Sequence, residues 1–339
     1  MKIIVDAMGG DNAPAEIIRG ALDAREHLNV EIVLVGRTDD MTRCLESMGG
    51  PRAGVELVNA TETIEMDEDP VTAVRTKRDS SMAVGLRLLH DGGGDAFVSA
   101  GSTDALLSGA TLIAKRVRGI RRAALAPVIP GREGECMIID CGANAECTPE
   151  YLLQFAFMGS YYMESVMKKT SPRVGLLNIG TERGKGTALQ DETYGLLEKA
   201  AAGGHLNFIG NVEAKQVMLG GVDVIVCDGF SGNILLKGIE GVSRFFAAEI
   251  KDIFTRGKLS KLSGLMVRDA IYDLKDRMDP DKVGGTALLG IAKPVIKAHG
   301  SSNAVAIENA IRHAVQNAEA DVAGSLEKNI DKIRIDGLA

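Results

Sequence analysis

Short runs of apolar residues alternate with longer helix-forming stretches along almost the whole chain, and this alternation constrains the fold more than any other feature. Several of the short runs are continuous in Val, Ile and Leu, which is typical of parallel strands covered on both faces. The longer stretches between them have the length of crossover helices. The pattern therefore predicts an α/β fold with a mostly parallel, helix-covered sheet.

The predicted elements share one order, strand then helix. Strands are predicted at Ile3–Ala7, Glu31–Gly36, Val55–Val58, Ala96–Ser99, Met137–Asp140, Val174–Ile179, Asn207–Gly210 and Val222–Cys227. Helices are predicted at Pro14–His27, Pro70–His90, Thr103–Val117, Pro149–Met167, Ala188–Ala201 and Asn233–Phe254, with the Thr148 hydroxyl capping the fourth. Because no repeat, low-complexity segment or Pro/Ser linker interrupts this order, we predict that residues 1–339 form a single domain.

The composition excludes several classes of protein. A formal net charge of −7 disfavours nucleic acid as a partner. The five cysteines form no CxxC pair and fit no zinc spacing, which indicates reduced thiols in a reducing compartment. The first apolar run soon reaches an acid, unlike a signal peptide, and no run is long enough to span a membrane. These features predict a cytoplasmic protein.

Small polar, glycine-bearing loops follow the predicted strands. In open α/β sheets ligands bind at the carboxyl ends of the strands, where backbone N–H groups and hydroxyls suit an anion. Ordinary βα turns also contain Gly and Asx, but six such loops together favour a ligand site. The loops are Asp6–Asp11, Ser99–Thr103, Asp140–Asn144, Asn178–Glu182, Gly210–Glu213 and Asp228–Asn233.

Common cofactor motifs are missing from the sequence. No GxGxxG follows the first strand, and the stretch from Gly180 to Gly186 has the wrong spacing for a phosphate loop. No HExxH, GxSxG or clustered His/Asp ligand set is present. His299 is predicted near a helix end, where a capping or core role and a catalytic role are equally open. The sequence predicts an enzyme with neither a metal nor an organic cofactor.

Seven motifs together resemble the bacterial phosphate acyltransferase family. They are DAMGGD, SAGST, D-x-GAN, LLNIGTE followed by KG, GNVE, DGFSGNILLK and IKAHGSS, in order from residue 3 to about residue 302. That family makes acyl-phosphate from acyl-acyl carrier protein and inorganic phosphate, the step that opens membrane phospholipid synthesis. The resemblance implies a three-layer αβα fold related to phosphotransacetylases and to the isocitrate dehydrogenase group, and a homodimer. The chain departs from the family motifs at Asp104 and Arg183.

The implied reaction needs phosphate held against a thioester carbonyl and stabilisation of the oxyanion that develops there. Lys185, in a glycine-flanked loop, is the preferred cation, although it could also be a solvated loop lysine. Asp228 could orient Lys185, relay a proton or cap the following helix. Candidate donors to phosphate or to the thioester oxyanion are Ser99, Gly101, Ser102, Thr103, Gly180, Thr181 and the amides of Asn144, Asn178, Asn211 and Asn233. Cys141 could carry an acyl group, but a buried inert thiol is favoured.

Two further segments suggest partners. Five cations without an acid, Lys115, Arg116, Arg118, Arg121 and Arg122, could dock an acidic partner such as acyl carrier protein or could form a solvated helix end. Apolar residues at helical spacing, with cations between them, predict an amphipathic helical segment at about 245–278. That segment could contact a membrane, a second subunit or the core. The family resemblance favours peripheral membrane contact and transfer of the product to a membrane glycerol-3-phosphate acyltransferase.

Three other functions are compatible with parts of the sequence. A short-chain phosphotransacetylase would use acyl-coenzyme A and would not require carrier protein. A decarboxylating dehydrogenase of related fold would need a metal-binding aspartate set and a nucleotide loop. A non-catalytic membrane scaffold would use the 245–278 segment alone and would leave the six loops without a role.

Overall fold

The computed structural model describes residues 1–50, 53–271 and 284–333. Its strands are β1 Lys2–Asp6, β2 Glu31–Gly36, β3 Val55–Asn59, β4 Ala96–Ser99, β5 Ala124–Ala126, β6 Val128–Gly131, β7 Gly134–Ile139, β8 Arg173–Leu177, β9 Asn207–Val212, β10 Val224–Val226, β11 Thr286–Leu289 and β12 Val295–Lys297. Every predicted strand is present, whereas β5, β6, β11 and β12 were not predicted. All four are only three or four residues long.

The helices lie between these strands. They are α1 Ala15–Leu28, α2 Thr38–Ser47, α3 Pro70–Thr76, α4 Ser81–His90, α5 Thr103–Gly109, α6 Pro149–Ser165, α7 Ala188–Ala202, α8 Gln216–Leu219, α9 Gly229–Thr255, α10 Lys258–Met266, α11 Ala304–Ala320, α12 Val322–Lys328 and α13 Ile330–Ile333. A π-helical turn, Ala110–Ala114, continues α5. Among the described residues no helix is long and apolar enough to cross a membrane.

The strands divide between two sheets, where the sequence suggested one. The first sheet has the order β3-β2-β1-β4-β12-β11-β5, and the second has the order β6-β7-β10-β8-β9. Pairing is parallel from β3 to β12 in the first sheet and from β7 to β9 in the second, and antiparallel strands lie only at one end of each. The prediction of a mostly parallel α/β fold is therefore confirmed.

Helices cover both faces of the sheets. The largest buried cluster joins α1, α2, α6 and α11 to strands of both sheets, and Phe155, Phe157 and Tyr162 of α6 are fully buried in it. A second cluster packs α4, α5 and the π-helical turn on the other face of the first sheet. A third cluster lies on the outer face of the second sheet, under α8 and the start of α9. This is the three-layer αβα arrangement.

Several predicted helix boundaries were wrong for local reasons. The helix predicted at Pro70–His90 is broken, because the Ser80 side chain accepts a hydrogen bond from the Ala83 N–H at 3.3 Å and so starts α4 as a new helix. The helix predicted at Thr103–Val117 ends at Ala114, since Lys115 has a φ of 73°. Pro149 does start α6, but the Thr148 hydroxyl makes no capping hydrogen bond.

His299 does not lie at a helix end, contrary to the prediction. It lies in the loop that follows β12, where its Nδ1 is 2.8 Å from the Ser301 hydroxyl and accepts the Ser301 N–H at 3.2 Å. The imidazole is exposed and closes this short turn. The IKAHGSS motif is thus another loop at the carboxyl end of a parallel strand.

Candidate active site

The polar loops gather at two edges, one for each sheet. The first edge is formed by the loops after β1, β4 and β12, which are residues 6–11, 99–103 and 297–302. The second edge is formed by the loops after β7, β8, β9 and β10, which are residues 140–144, 178–186, 211–213 and 227–233. Four predicted phosphate donors, Ser99, Gly101, Ser102 and Thr103, lie at the first edge. The predicted catalytic residues and the remaining predicted phosphate or thioester donors lie at the second edge.

At the first edge the loops are held together by short polar contacts. The Ser99 hydroxyl donates to Asp6 Oδ2 at 2.7 Å and accepts the Gly101 N–H at 3.1 Å. Ser99 is 1% exposed, so its hydroxyl orders the loop from the buried side and does not face a ligand. Burial raises the pKa of Asp6, against the lowering effect of its hydrogen bonds with Ser81 and Ser99.

Backbone packing closes the same edge. The Asp11 N–H donates to the Gly300 carbonyl at 2.8 Å, which joins the β1 and β12 loops. A Cβ at Gly9 would lie 2.7 Å from both Asp6 Oδ2 and the Gly101 nitrogen, so only glycine fits there. Ser102 caps α5 by accepting the Ala105 N–H at 3.5 Å, while Thr103 is half-buried in the first turn. The wall of this edge is therefore mainly backbone.

At the second edge Asp140 joins the two sheets. Its carboxylate accepts N–H groups from Leu125 of the first sheet at 2.8 Å and from Ala143 at 3.3 Å. It also accepts both the backbone N–H and the side-chain amide of Asn144, at 2.6 and 3.0 Å. Burial raises the pKa of Asp140, and these bonds oppose that rise. Asp140 belongs to the D-x-GAN motif, but nothing in the sequence alone indicates this role.

The four predicted oxyanion amides differ in what they bind. Asn144 Nδ2 donates to the Ala123 carbonyl at 2.8 Å as well as to Asp140, so both of its N–H groups are used. Asn178 Nδ2 donates to the Lys185 carbonyl at 2.9 Å, and Asn211 Nδ2 donates to the Glu182 carbonyl at 2.9 Å. Each of the latter two retains one N–H. Asn233 is exposed near the start of α9, beside Gly142.

Lys185 lies in the exposed loop that follows β8. The Asn178 side chain holds its carbonyl, and its aliphatic stem lies over Gly180, where a Cβ would be 3.5 Å from Lys185 Cγ. The adjacent cation, Arg183, points away from this loop to Glu198 at 3.0 Å and to the Tyr194 ring at 5.1 Å. The charge that the chain adds at Arg183, where it departs from the family motif, is therefore paired with Glu198. Thr181 is exposed in the same loop.

Asp228 is a helix cap, one of the alternatives that the sequence left open. It accepts the Ser231 N–H and the Ser231 hydroxyl, each at 2.8 Å, at the start of α9. The Gly229 N–H donates to the Asn144 carbonyl at 2.7 Å, which joins the β10 loop to the β7 loop. Asp104, the other departure from the family motif, is exposed in the first turn of α5.

Cys141 is buried, as expected for an inert thiol. It is 2% exposed, and burial raises its pKa well above the ordinary value, an effect that the nearby Asp140 charge increases. A thiol held in its protonated form is a poor nucleophile. The structure therefore favours a packing role for Cys141.

The arginine cluster lies in the loop before β5 and not on a helix. Arg121 pairs with Glu150 at 2.9 Å, and Arg122 lies over the Tyr151 ring at 5.4 Å. Arg116 donates to the Arg121 carbonyl, and Arg118 is exposed. Two of the four guanidinium groups are therefore engaged with α6.

The predicted amphipathic segment at 245–278 falls partly outside the described residues, which stop at residue 271 before this gap. Its described part forms the end of α9 and all of α10. Phe245 and Phe246 are 59% and 57% exposed, and Leu259 and Met266 are 82% and 83% exposed. These side chains are not part of the core in this chain, so core packing is the wrong interpretation for them.

Comparisons with known proteins agree with this fold. The family profile described as "Fatty acid synthesis protein" matches residues 1–325. The phosphate acyltransferase of Thermoanaerobacterium thermosaccharolyticum is 44% identical over 333 residues, 98% of each chain. Among solved structures, a phosphotransacetylase from Streptococcus pyogenes superposes with a TM-score of 0.63 at 19% identity, over 94% of each chain. A 4-hydroxythreonine-4-phosphate dehydrogenase from Klebsiella pneumoniae gives a TM-score of 0.54 at 14% identity, over 94% of this chain and 99% of that one.

The fold is thus the α/β fold of the phosphotransacetylases. The sequence match to a phosphate acyltransferase over 98% of each chain defines an acyltransferase. The chain belongs to the phosphate acyltransferase family, within fatty acid and phospholipid synthesis. The family resemblance read from the seven motifs is confirmed.

Proposed function

We propose that this enzyme transfers an acyl group from acyl-acyl carrier protein to inorganic phosphate. A phosphate oxygen attacks the thioester carbonyl carbon, the C–S bond breaks, and the carrier-protein thiolate leaves and takes up a proton. The products are acyl-phosphate and free acyl carrier protein. Phosphate near neutral pH is already an anionic oxygen nucleophile, so the protein has to supply position and charge rather than a strong base.

The observation that carries this proposal is the loop around Lys185. Asn178 and Asn211, at the ends of neighbouring strands β8 and β9, each donate to a carbonyl of this loop at 2.9 Å. The bonds fix the backbone while the Lys185 side chain stays in the exposed part of the loop. A cation on a fixed loop, beside amides that each retain one N–H, suits a tetrahedral oxyanion.

Lys185→Ala is expected to lower kcat for phosphate-dependent release of carrier-protein thiol from palmitoyl-acyl carrier protein by roughly 10²–10³, the usual loss for an oxyanion donor. Arg183→Ala is the matched control, because Arg183 lies in the same loop but contacts Glu198 and Tyr194. We expect that control to keep activity within a few-fold of wild type.

Three outcomes decide the assignment. Equal loss in both variants would mean that the loop structure, and not the Lys185 charge, is needed. Full activity in Lys185→Ala would place the cation elsewhere. Phosphate-dependent cleavage of acetyl-coenzyme A but not of palmitoyl-acyl carrier protein would make the enzyme a short-chain phosphotransacetylase.

The proposed partners follow from charge and exposure. The cluster of Arg116, Arg118, Arg121 and Arg122 is a docking surface for the acidic carrier protein, since opposite charges steer association. For a product with a long acyl chain, release close to a membrane would favour transfer to a membrane glycerol-3-phosphate acyltransferase. We assign α10 to peripheral membrane contact and α9 to a homodimer contact, in a cytoplasmic enzyme.

A further inference from the structure

Three neighbouring parallel strands of the first sheet end in an acid, a hydroxyl and an amine. Asp6 ends β1, Ser99 ends β4 and Lys297 ends β12. The register pairs Val5 with Val98 and Ser99 with Lys297, so the three residues form one row across the sheet. In a parallel sheet, the side chains of residues paired across adjacent strands project from the same face of the sheet. The row stands at the first edge, where ligands of such folds bind.

The row is buried, but not evenly. Asp6 and Ser99 are each 1% exposed, while Lys297 is 8% exposed. Lysine is almost never buried without a partner, because an ammonium loses its hydration. Lys297 is therefore the unusual member of the row and the one nearest to the surface.

Asp6 and Ser99 are satisfied by protein groups. Ser99 donates to Asp6 Oδ2 at 2.7 Å, and Asp6 Oδ1 accepts the Met8 N–H at 3.2 Å. Their bonds order the β1 and β4 loops and leave no donor directed outward. An anion at this edge would need another charged partner.

Lys297 has unused capacity to donate. Its Nζ donates to the Ala298 carbonyl, and within the described ranges no carboxylate oxygen lies within 4.0 Å of it. An ammonium carries three N–H groups, so two remain. Burial lowers the pKa of Lys297 to about 8, and the charges of Asp11 and Asp6 oppose that shift from beyond contact distance.

The loops beside Lys297 approach each other too closely to hold side chains between them. Gly10 has a φ of +101°, and a Cβ there would lie 2.9 Å from the Gly300 carbonyl. The β1 and β12 loops therefore approach each other through backbone alone, as backbone does around a bound phosphate. Ala298 N–H bonds the Ser99 carbonyl at 2.9 Å, which fixes the chain beside Lys297.

We propose that Lys297 is the buried cation of a phosphate-binding subsite at the first edge, with Asp6 and Ser99 as positioning residues. The ligand class is a tetrahedral oxyanion, and the proposed function makes inorganic phosphate that ligand, so this assignment rests on it. Such an anion accepts the two remaining N–H groups of the Lys297 ammonium. The competing explanation is structural, in which Lys297 only neutralises Asp6.

The first test is the dependence of initial rate on inorganic phosphate at saturating palmitoyl-acyl carrier protein. Lys297→Met should raise the KM for phosphate at least about tenfold, the effect of losing a charge-assisted hydrogen bond. Lys297→Arg keeps the positive charge and should bring the KM for phosphate part of the way back to the wild-type value. Lys293→Met is the matched control, since Lys293 is exposed near the opposite end of the same strand. An unchanged KM for phosphate in Lys297→Met would overturn the proposal.

A double variant separates binding from charge balance. Asp6→Asn with Lys297→Met removes both buried charges, so the fold does not have to hold an unpaired one. If Lys297 binds phosphate, this variant keeps the raised KM for phosphate. If Lys297 only neutralises Asp6, the double variant returns to the wild-type KM, and the proposal is wrong.

Phosphate binding can also be measured without turnover. Phosphate should raise the Tm of wild type and of Lys293→Met relative to chloride at matched ionic strength, and should raise that of the double variant much less. A shift that depends on Lys297 in a protein without acyl transfer would retain the subsite and reject the proposed function. Equal shifts in wild type and the double variant would reject the subsite.

Discussion

Asp140 accepts four N–H groups, Ser102 and Asp228 each cap a helix, and Asn144 uses both of its amide hydrogens on the chain. In the sequence three of them, Ser102, Asp228 and Asn144, look like ligand-binding residues, because each follows an apolar strand. The same position demands polar groups to satisfy backbone N–H and C=O where a strand gives way to a helix. Residue type and position therefore located the edges of the sheets but could not separate loop closure from ligand binding.

Asp140→Ala should lower the free energy of unfolding by at least about 3 kcal/mol, since buried donors left without a partner cost about 1–3 kcal/mol each. Urea denaturation at neutral pH measures this change. Asp67→Ala, at an exposed position, should alter stability by no more than about 0.5 kcal/mol. A loss for Asp140→Ala no larger than that of the control would show that solvent replaces the carboxylate and that Asp140 does not join the sheets.

Lys297 is the opposite case, a proposed ligand-binding residue that the sequence does not reveal. A lysine that follows only two apolar residues, Val295 and Ile296, predicts an exposed position, and burial of this one depends on β4 and β11 on either side. Those neighbours are distant in sequence. The row of Asp6, Ser99 and Lys297 exists only once the strand order is known.

At the scale of elements, strand prediction succeeded where an apolar run is long and parallel neighbours bury both faces. Helix α9 was predicted from Asn233, yet it begins four residues earlier at Gly229, because Asp228 caps it there. The helical spacing of apolar residues in α9 and α10 was visible in the sequence. That spacing does not reveal which surface packs against the apolar face it creates. In the described structure α10 buries no residue, and its charged residues are Lys258 and Lys261 with no acid. Helix α9 mixes acids such as Glu240 with cations such as Lys237.

The apolar, cationic character of α10 predicts binding to anionic lipid. The double variant Leu259→Ser and Leu262→Ser should bind phosphatidylglycerol vesicles at least about tenfold more weakly, because each buried leucine contributes about 1.5–3 kcal/mol. Co-sedimentation with vesicles measures this. Leu219→Ser is the control, since Leu219 is 54% exposed at the end of α8.

The subunit state of the same variants tests the division between the two helices. Sedimentation equilibrium should give the same mass for wild type and for the α10 double variant, because the proposed dimer contact lies on α9. Unchanged vesicle binding together with a smaller mass would mean that α10 is a subunit contact and not a membrane contact.

At the scale of the whole molecule, the chain carries a net charge of −7 and yet concentrates cations in one loop before β5. That loop leads directly into the strand whose Leu125 N–H is held by Asp140 at the second edge. A carrier protein docked there would stand beside the loop after β7, whose Asn144 side chain donates to the Ala123 carbonyl at 2.8 Å. An acidic enzyme that binds an acidic partner needs such a local patch, because long-range repulsion slows every other approach.

Arg118→Glu should therefore raise the KM for palmitoyl-acyl carrier protein several-fold and leave the KM for palmitoyl-coenzyme A nearly unchanged. Arg118 is the most informative of the cluster, since Arg116, Arg121 and Arg122 also contact the chain itself. Steady-state rates at low and high salt measure the effect, and the difference from wild type should shrink as salt screens the charge.

Arg132→Glu is the matched charge reversal, because Arg132 is exposed in the turn between β6 and β7, at the amino end of β7 and away from the loops of the second edge. We expect it to change neither KM by more than about twofold at physiological salt, where screening beyond about 8 Å is strong. If both reversals raise the KM for the carrier protein equally, net charge rather than the arginine cluster guides association. If Arg118→Glu raises the KM for coenzyme A as much, the cluster contacts the phosphopantetheine arm or the acyl group common to both substrates, and the carrier protein docks on another face.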